Sequence, residues 1–202
     1  VEHLLAALHS YGITNLLVKV QGEVPIMDGS GLEFCEAIEE AGIEEADGEL
    51  APIVIDRSYE HKAKGGESIR IEPSDGFSVQ YNLRYPAPVG EQVYAYHHQG
   101  AETFKKEIAP ARTFGFVRDI AKLQNMGLAN GGRLSNFILI DDEKIVNTEL
   151  RFPNEFARHK ILDILGDFYL LGKPIRGAIM ARMTGHSDNI ALLRQIREGL
   201  KL

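Results

Sequence analysis

Between residues 51 and 99 the chain is written almost entirely in strand-forming segments, APIVIDRSYEHK, SIRIEPS, FSVQYNLRY and QVYAYHHQ, separated by short loops rich in Gly, Pro, Asp and Ser. Runs of this kind, bounded by turn residues, read as strands. They read as an antiparallel meander, and the helical segments lie in separate groups before and after it. The expected fold class is therefore α+β.

The flanking segments have their own punctuation. Residues 1–11 read as a helix with Leu4, Leu5, Ala7 and Leu8 on its apolar face, ended by Gly12. NLLVKV (15–20) reads as a strand, and PIMDGSG as a turn centred on Asp28-Gly29. Ser30 with Glu33 has the spacing of a capping box for the helix LEFCEAIEEAG, which Gly42 closes. The polar run EEADGEL (44–50) is the candidate linker, dividing the chain into domains 1–48 and 49–202. Beyond the strands come a helix near 116–126, a Gly-Gly turn at 131–132, a strand NFILIDD, a long helix over 155–171, a strand RGAIMARMT and a closing helix SDNIALLRQIREGL. Asn154 is placed to cap the long helix and Gly172 to stop it. A strand, a turn and a helix recur in both halves, too loosely to define a repeat.

Composition excludes several classes. The net charge is −7, whereas a nucleic-acid binder needs a basic face. No apolar run approaches the roughly 18 residues that span a bilayer, so no membrane span is expected. The single cysteine, Cys35, cannot form an internal disulfide, and a cytoplasmic location is expected. The chain starts at Val1 in what reads as mid-helix, without a cap or an initiator methionine, so it reads as a fragment whose N-terminal part is missing.

The long helix carries the chemistry. Ile161, Ile164, Leu165 and Phe168 share one face, and His159, Asp163 and Asp167 fall on the opposite side at four-residue spacing. Charges opposite a core face are ordinarily just solvated. Here Phe156 and Leu170 lie on the same polar stripe, and Gly166 flanks it, although a mid-helix glycine costs about 1 kcal/mol against alanine. A helix with an apolar back and a mixed front suits the floor of a cleft. His-x-x-x-Asp places an imidazole and a carboxylate on adjacent turns, where they can share a metal ion. A catalytic zinc needs a third ligand and a free position, and His3, His9, His61, His97, His98 and His186 are all candidates. His3 is distinguished by Glu2 beside it, which could act as a base.

VEHLLAAL, VPIMDGS, ARTFGFVRDI, ELRFPNEFARHKILDILGD and TGHSDN, in this order, resemble the signature segments of the UDP-3-O-acyl-N-acetylglucosamine deacetylases, the zinc amidases of lipid A synthesis in Gram-negative bacteria. The resemblance runs over almost the whole chain. It implies a fold of two similar domains, each a sheet carrying helices, with the helix layers facing each other across the active site. It also implies an insert near 114–134 in the second domain.

Carried over motif by motif, the resemblance makes His3, His159 and Asp163 the Zn2+ ligands. Glu2 becomes the general base toward water, Thr113 a donor to the oxyanion, His186 the acid that protonates the leaving amine, and Asp167 the carboxylate that holds His186. Lys160, Phe114 and Phe116 become substrate contacts, and Val117, Ile120, Leu123 and Leu134 the lining of an acyl channel. The implied partner is a small molecule, a UDP-acyl-glucosamine, and the chain is expected to act as a monomer. Two alternatives stand beside this reading. One is a non-catalytic binding protein on the same fold, in which the catalytic set would be damaged; the other is a fragment inactive through loss of its N-terminal segment. A generic zinc peptidase lacks support because the chain has no HExxH helix.

Overall fold

A computed structural model describes residues 1–119 and 136–202. Five helices, α1 (Glu2–Ser10), α2 (Leu32–Ala41), α3 (Ala101–Glu107), α4 (Glu155–Tyr169) and α5 (His186–Leu200), accompany eight strands among these residues. The strands are β1 (Ile53–Val54), β2 (Tyr59–Lys62), β3 (Ser68–Glu72), β4 (Phe77–Arg84), β5 (Glu91–His97), β6 (Phe114–Phe116), β7 (Ile138–Ile140) and β8 (Ile175–Arg182). The α+β class holds. The expected helix near 116–126, the Gly-Gly turn at 131–132, and Ile120, Leu123 and Leu134 lie largely or wholly outside the described residues.

The main sheet runs β2-β3-β8-β4-β5, with β1 paired to β8 in parallel. This corrects the meander. The hairpin pairs β2–β3 and β4–β5 form as expected, but β8 enters between β3 and β4, antiparallel to the first and parallel to the second. A strand at the centre of a sheet forms two ladders, and β8 suits that place because Ile175, Gly177, Ile179 and Ala181 alternate inward. Gly177 is required there: a Cβ would lie 2.8 Å from Ile71 Cδ1 and 2.9 Å from Ile55 Cγ1. Phe77, Val79, Tyr81 and Leu83 of β4 face the same core.

The apolar face of α4 (Ile161, Ile164, Leu165 and Phe168) closes this core together with Leu192 and Ile196 of α5. Helix α4 packs on β4 and β5, and α5 on β2 and β3. Helix α1 packs along α4, so α4 is buried nearly all round, and the stripe bearing His159, Asp163 and Asp167 lies inside. The face of α1 that makes this contact is made of small residues. Ala6 and Ala7 are fully buried, while Leu4 and Leu5, expected on the buried face, are only partly covered. Gly166 explains how closely the helices meet: a Cβ at that position would lie 2.1 Å from the Glu2 carbonyl oxygen. The glycine on the stripe exists for this approach, and it brings Glu2 and His3 over α4.

Three local expectations are corrected. NLLVKV is not a strand: residues 15–20 are irregular and exposed, and among the described residues no strand pairs with them. β-Propensity without a ladder partner does not make a strand. The capping box at Ser30 is not formed. The Ser30 hydroxyl donates to Asp28 Oδ1 at 2.6 Å, stabilising the Asp28-Gly29 turn, and α2 starts one residue later from Gly31. Asn154 stands at the start of α4, but its side chain accepts from Arg158 Nε at 2.7 Å and caps no backbone amide. Leu170, placed on the mixed front, is exposed. Helix α3 has no counterpart in the sequence reading; it is seven residues long and buries only Phe104, too little for an apolar stripe.

Candidate active site

The first and fourth helices meet at three side chains. His3, His159 and Asp163 are all buried, and each offers one ligand atom within 4.8 Å of the others. His159 Nε2 lies 3.4 Å from Asp163 Oδ1, and His3 Nε2 lies 4.0 Å from the same oxygen. The two imidazoles meet edge to face with centroids 5.0 Å apart. The second carboxylate oxygen is taken by Lys160, whose ammonium donates to Asp163 Oδ2 at 2.7 Å. The carboxylate is thus divided, one oxygen for a cation of the chain and one for the histidines.

The protonation states follow from the neighbours. Burial pushes His3 down to about 4, with repulsion from His159 adding to it. Burial likewise lowers His159, against the pull of Asp163. Both rings are therefore neutral at pH 7, the form that binds metal. Burial would raise Asp163, but the Lys160 ammonium and the His159 ring outweigh it and hold the carboxyl well below the usual range. Lys160 is the mirror case: burial disfavours its charge, and Asp163 holds it above the ordinary lysine range. The tautomer of His159 is fixed as well. Its Nδ1 lies 3.0 Å from the Ala111 carbonyl oxygen. A carbonyl only accepts, so Nδ1 carries the proton and Nε2 presents its lone pair toward Asp163 and His3.

Two further groups flank the cluster. Glu2 and His186 each place an atom within 4.8 Å of Asp163 and of one another. Glu2 Oε1 also lies 3.8 Å from His3 Nε2. His186 starts α5, and its Nδ1 is 2.8 Å from Asp167 Oδ2, which also accepts from Asn189 Nδ2 at 2.8 Å. The bond to Asp167 outweighs burial and raises His186 to about 9. The ring is an imidazolium at pH 7. The loop before α5 is fastened by Gly185 N–H donating to Asp188 Oδ2 at 3.0 Å, and Asp188 Oδ1 lies 3.3 Å from His61 Nε2.

Thr113 follows Ala111 by two residues. Its amide donates to the Gly29 carbonyl at 2.7 Å, and its carbonyl accepts from Ile138 N–H at 2.8 Å. The turn at Gly29 is close-fitting: its φ is +87°, and a Cβ would lie 2.2 Å from the Asn136 carbonyl oxygen. Phe114 extends from Thr113 to a ring contact with His159 at 6.4 Å and with Phe156 at 4.8 Å. Phe116 lies beyond it, against Tyr85 at 5.2 Å and beneath the Arg118 guanidinium at 4.9 Å. Val117 is exposed.

Of the other histidines considered as a third ligand, His9 and His98 stack on one another with centroids 5.2 Å apart. They form a separate pair at the far end of α1. Among the described residues the groups able to hold a metal include neither of them, nor His61 or His97.

The sequence reading missed the support of the site. Glu155 is fully buried and accepts from Arg112 N–H (3.0 Å), Arg112 Nε (2.8 Å), Arg112 Nη2 (3.2 Å) and Arg151 N–H (2.6 Å). Arg112 also donates to Thr148 Oγ1 and the Glu149 carbonyl, and Arg151 to Asp28 Oδ2 and the Pro110 carbonyl. A glutamate in the first turn of a helix reads locally as a favourable dipole partner. Nothing local pairs it with residues 43 positions away.

A family profile described as LpxC: UDP-3-O-acyl N-acetylglycosamine deacetylase matches residues 1–198. A UDP-3-O-acyl-N-acetylglucosamine deacetylase of Anaeromyxobacter dehalogenans (strain 2CP-C) is 44% identical over 198 residues, covering 97% of this chain and 64% of that protein. The enzyme of the same name from Campylobacter fetus subsp. fetus is 44% identical over 192 residues, covering 94% of the chain and 65% of the relative. That from Helicobacter hepaticus is 41% identical over 198 residues, with 97% and 66% covered. The chain spans just under two thirds of the length of these relatives.

Proposed function

The chain belongs to the UDP-3-O-acyl N-acetylglycosamine deacetylase family, and on that premise we propose that it carries the site of a metal-dependent amidase. The reaction proposed is removal of the N-acetyl group from UDP-3-O-acyl-N-acetylglucosamine, the committed step of lipid A synthesis. The observation that carries this reading is the convergence of two neutral imidazoles and one carboxylate, flanked by Glu2 on one side and the His186–Asp167 pair on the other.

The ligand set fits zinc. Bonds of about 2.0–2.1 Å in a tetrahedron put neighbouring ligand atoms roughly 3.4 Å apart. His159 and Asp163 already have that separation, His3 lies 4.0 Å from the same carboxylate oxygen, and all three ligand atoms are within 4.8 Å of one another. Held by His3, His159 and Asp163, the ion would polarise the acetamide carbonyl and lower the pKa of water to about 7. A site of two imidazoles and one carboxylate would leave a bound zinc open to water, as catalysis requires.

The chain's own groups then have distinct work. Glu2 accepts the proton of the attacking water. His186, kept protonated by Asp167, supports the developing oxyanion and donates its proton to the leaving amine. Thr113 supplies a hydroxyl donor to the same oxyanion; one such donor is worth about 2.7–4 kcal/mol of barrier. Lys160 adds a partly exposed cation toward an anionic substrate. Phe114 and Phe116, joined by Tyr85, form an apolar flank suited to the acyl chain. A division into domains 1–48 and 49–202, a cytoplasmic location and a monomeric state belong to the same reading.

The test is acetate release from UDP-3-O-acyl-N-acetylglucosamine before chelation, after it, and after zinc is restored. Chelation should abolish release and zinc should return it; turnover that survives complete metal removal refutes the reading.

A further inference from the structure

Glu155 and His159 stand four residues apart on α4, on the same face and about 6 Å apart along the axis. Both grip one peptide group in the segment 110–113. The Arg112 amide N–H donates to Glu155 Oε1 at 3.0 Å, and the Ala111 carbonyl of that same peptide accepts from His159 Nδ1 at 3.0 Å. The N–H and C=O of a trans peptide point in opposite directions within one plane. A carboxylate at one end and an imidazole at the other therefore hold that plane from both sides.

We infer that Glu155 is a positioning residue for the metal centre, acting on His159 through the Ala111–Arg112 peptide. The inference rests on reading His159 as a metal ligand. Metal-binding histidines commonly donate their second N–H to a carboxylate or a carbonyl, which fixes the tautomer and raises the donor strength of the coordinating nitrogen. Here both partners are present in series. The anionic carboxylate polarises the N–H, the polarised peptide becomes a stronger acceptor at its carbonyl, and His159 Nε2 becomes a better donor. Arg112 completes the arrangement by neutralising the buried carboxylate through Nε and Nη2.

A plain structural staple would not need this geometry. A buried Arg–Glu pair is weak evidence of stability in itself, since well-packed apolar residues often do as well. Glu155 spends one carboxylate oxygen on the main chain of Arg112 as well as on its side chain, and it does so one helical turn from the ligand whose tautomer that peptide sets.

The test uses the purified chain, with Co2+ affinity measured by competition with a chromophoric chelator. A nitrogen-15 spectrum of the imidazoles in the metal-free protein reports the His159 tautomer. Glu155→Gln should bind Co2+ at least 10-fold more weakly, within the 10–100-fold range of such supporting groups. It should also turn His159 from a single Nδ1–H tautomer into a mixture, while circular dichroism stays unchanged. Arg112→Lys keeps the main-chain N–H and should hold Co2+ affinity within threefold even though it melts earlier. If Glu155→Gln does not fold, Glu155→Asp, which withdraws the carboxylate by one methylene, should show the same two losses. Parental affinity and a parental tautomer in a folded Glu155 variant overturn the inference. If the parent chain itself binds no Co2+, the metal reading fails, and the tautomer comparison still decides the relay.

Discussion

Helix α1 carries two buried histidines, and each faces a second histidine at nearly the same distance: His3 with His159 at 5.0 Å and His9 with His98 at 5.2 Å. Burial depresses both, His3 to about 4 and His9 to about 3, with the neighbouring ring adding to it in each case. Among the described residues, only the first pair belongs to a group able to hold a metal. His3 and His159 share Asp163 Oδ1, and the Ala111 carbonyl fixes the His159 tautomer. His9 packs among Phe77, Tyr169 and His98, and its Nδ1 has no hydrogen-bond partner among the described residues. Proximity and a lowered pKa are thus common to a pair beside a carboxylate and to a packing pair. The anion and the orienting carbonyl make the difference.

Removing the anion should do the greatest damage at the first pair. Asp163→Ala leaves the partly buried Lys160 ammonium uncompensated, so it should lose metal binding altogether and cost about 3 kcal/mol in urea unfolding. A variant that still takes up Co2+ stoichiometrically would erase the distinction between the pairs. The flanking acid should separate binding from catalysis. His186→Ala is expected to retain its metal and lose 10²–10⁴-fold in kcat, the usual worth of a positioned acid. The required form of His186 is the protonated one, and its pKa is raised, so turnover should fall as pH rises through about 9. Asp167→Asn should bring that limb down toward about 6.5, the ordinary histidine value; an unmoved limb in a pH–rate profile would remove His186 as the acid.

Gly166→Ala asks whether the approach of α1 matters more than local helix preference. Alanine favours a helix by about 1 kcal/mol. The added Cβ meets a backbone oxygen at 2.1 Å, which no rotamer relieves, so α1 must shift. We expect a net loss of about 1–3 kcal/mol in thermal stability and weaker Co2+ binding, because His3 moves with the helix. Improved stability with unchanged metal affinity would show that the contact is slack. The smallest effect belongs to the packing pair. His9 stays neutral in the fold down to about 3, whereas the unfolded chain takes its proton near 6.5. Stability therefore falls as pH drops through that window. His9→Leu should gain about 2 kcal/mol at pH 5, change little at pH 7, and leave Co2+ affinity within threefold. Loss of metal in this variant would make the two pairs one system.

Much of the local structure was legible. Strand-forming runs bounded by turn residues identified β3 to β5, the run APIVIDRSYEHK divided into β1 and β2, and the 3.6-residue period identified α4 with its apolar back. The fit of β8 between β3 and β4 was not, because an antiparallel meander and an inserted strand carry the same alternation. The Ser30 reading failed for a related reason: the spacing of a capping box was present, but the helix begins from Gly31, and the Ser30 hydroxyl accepts from Leu32 N–H at 3.2 Å instead of from residue 33. Gly166 was noticeable as an anomaly, and only the Glu2 carbonyl lying 2.1 Å from the place of its missing Cβ explains it.

What the sequence alone determined is what lies within a few turns: His159 and Asp163 on adjacent turns of one helix, Asp167 one turn further, and Glu155 one turn before. Helical geometry dictates those neighbours whatever surrounds them. Only the tertiary structure showed that His3, which the family resemblance had singled out among several histidines, lies within reach of His159 and Asp163, and that one peptide of the segment 110–113 links Glu155 to His159. Those contacts join residues far apart along the chain. They depend on the close approach of α1 to α4 and on the anchoring of the 110–113 segment, and no periodicity in the sequence encodes either one.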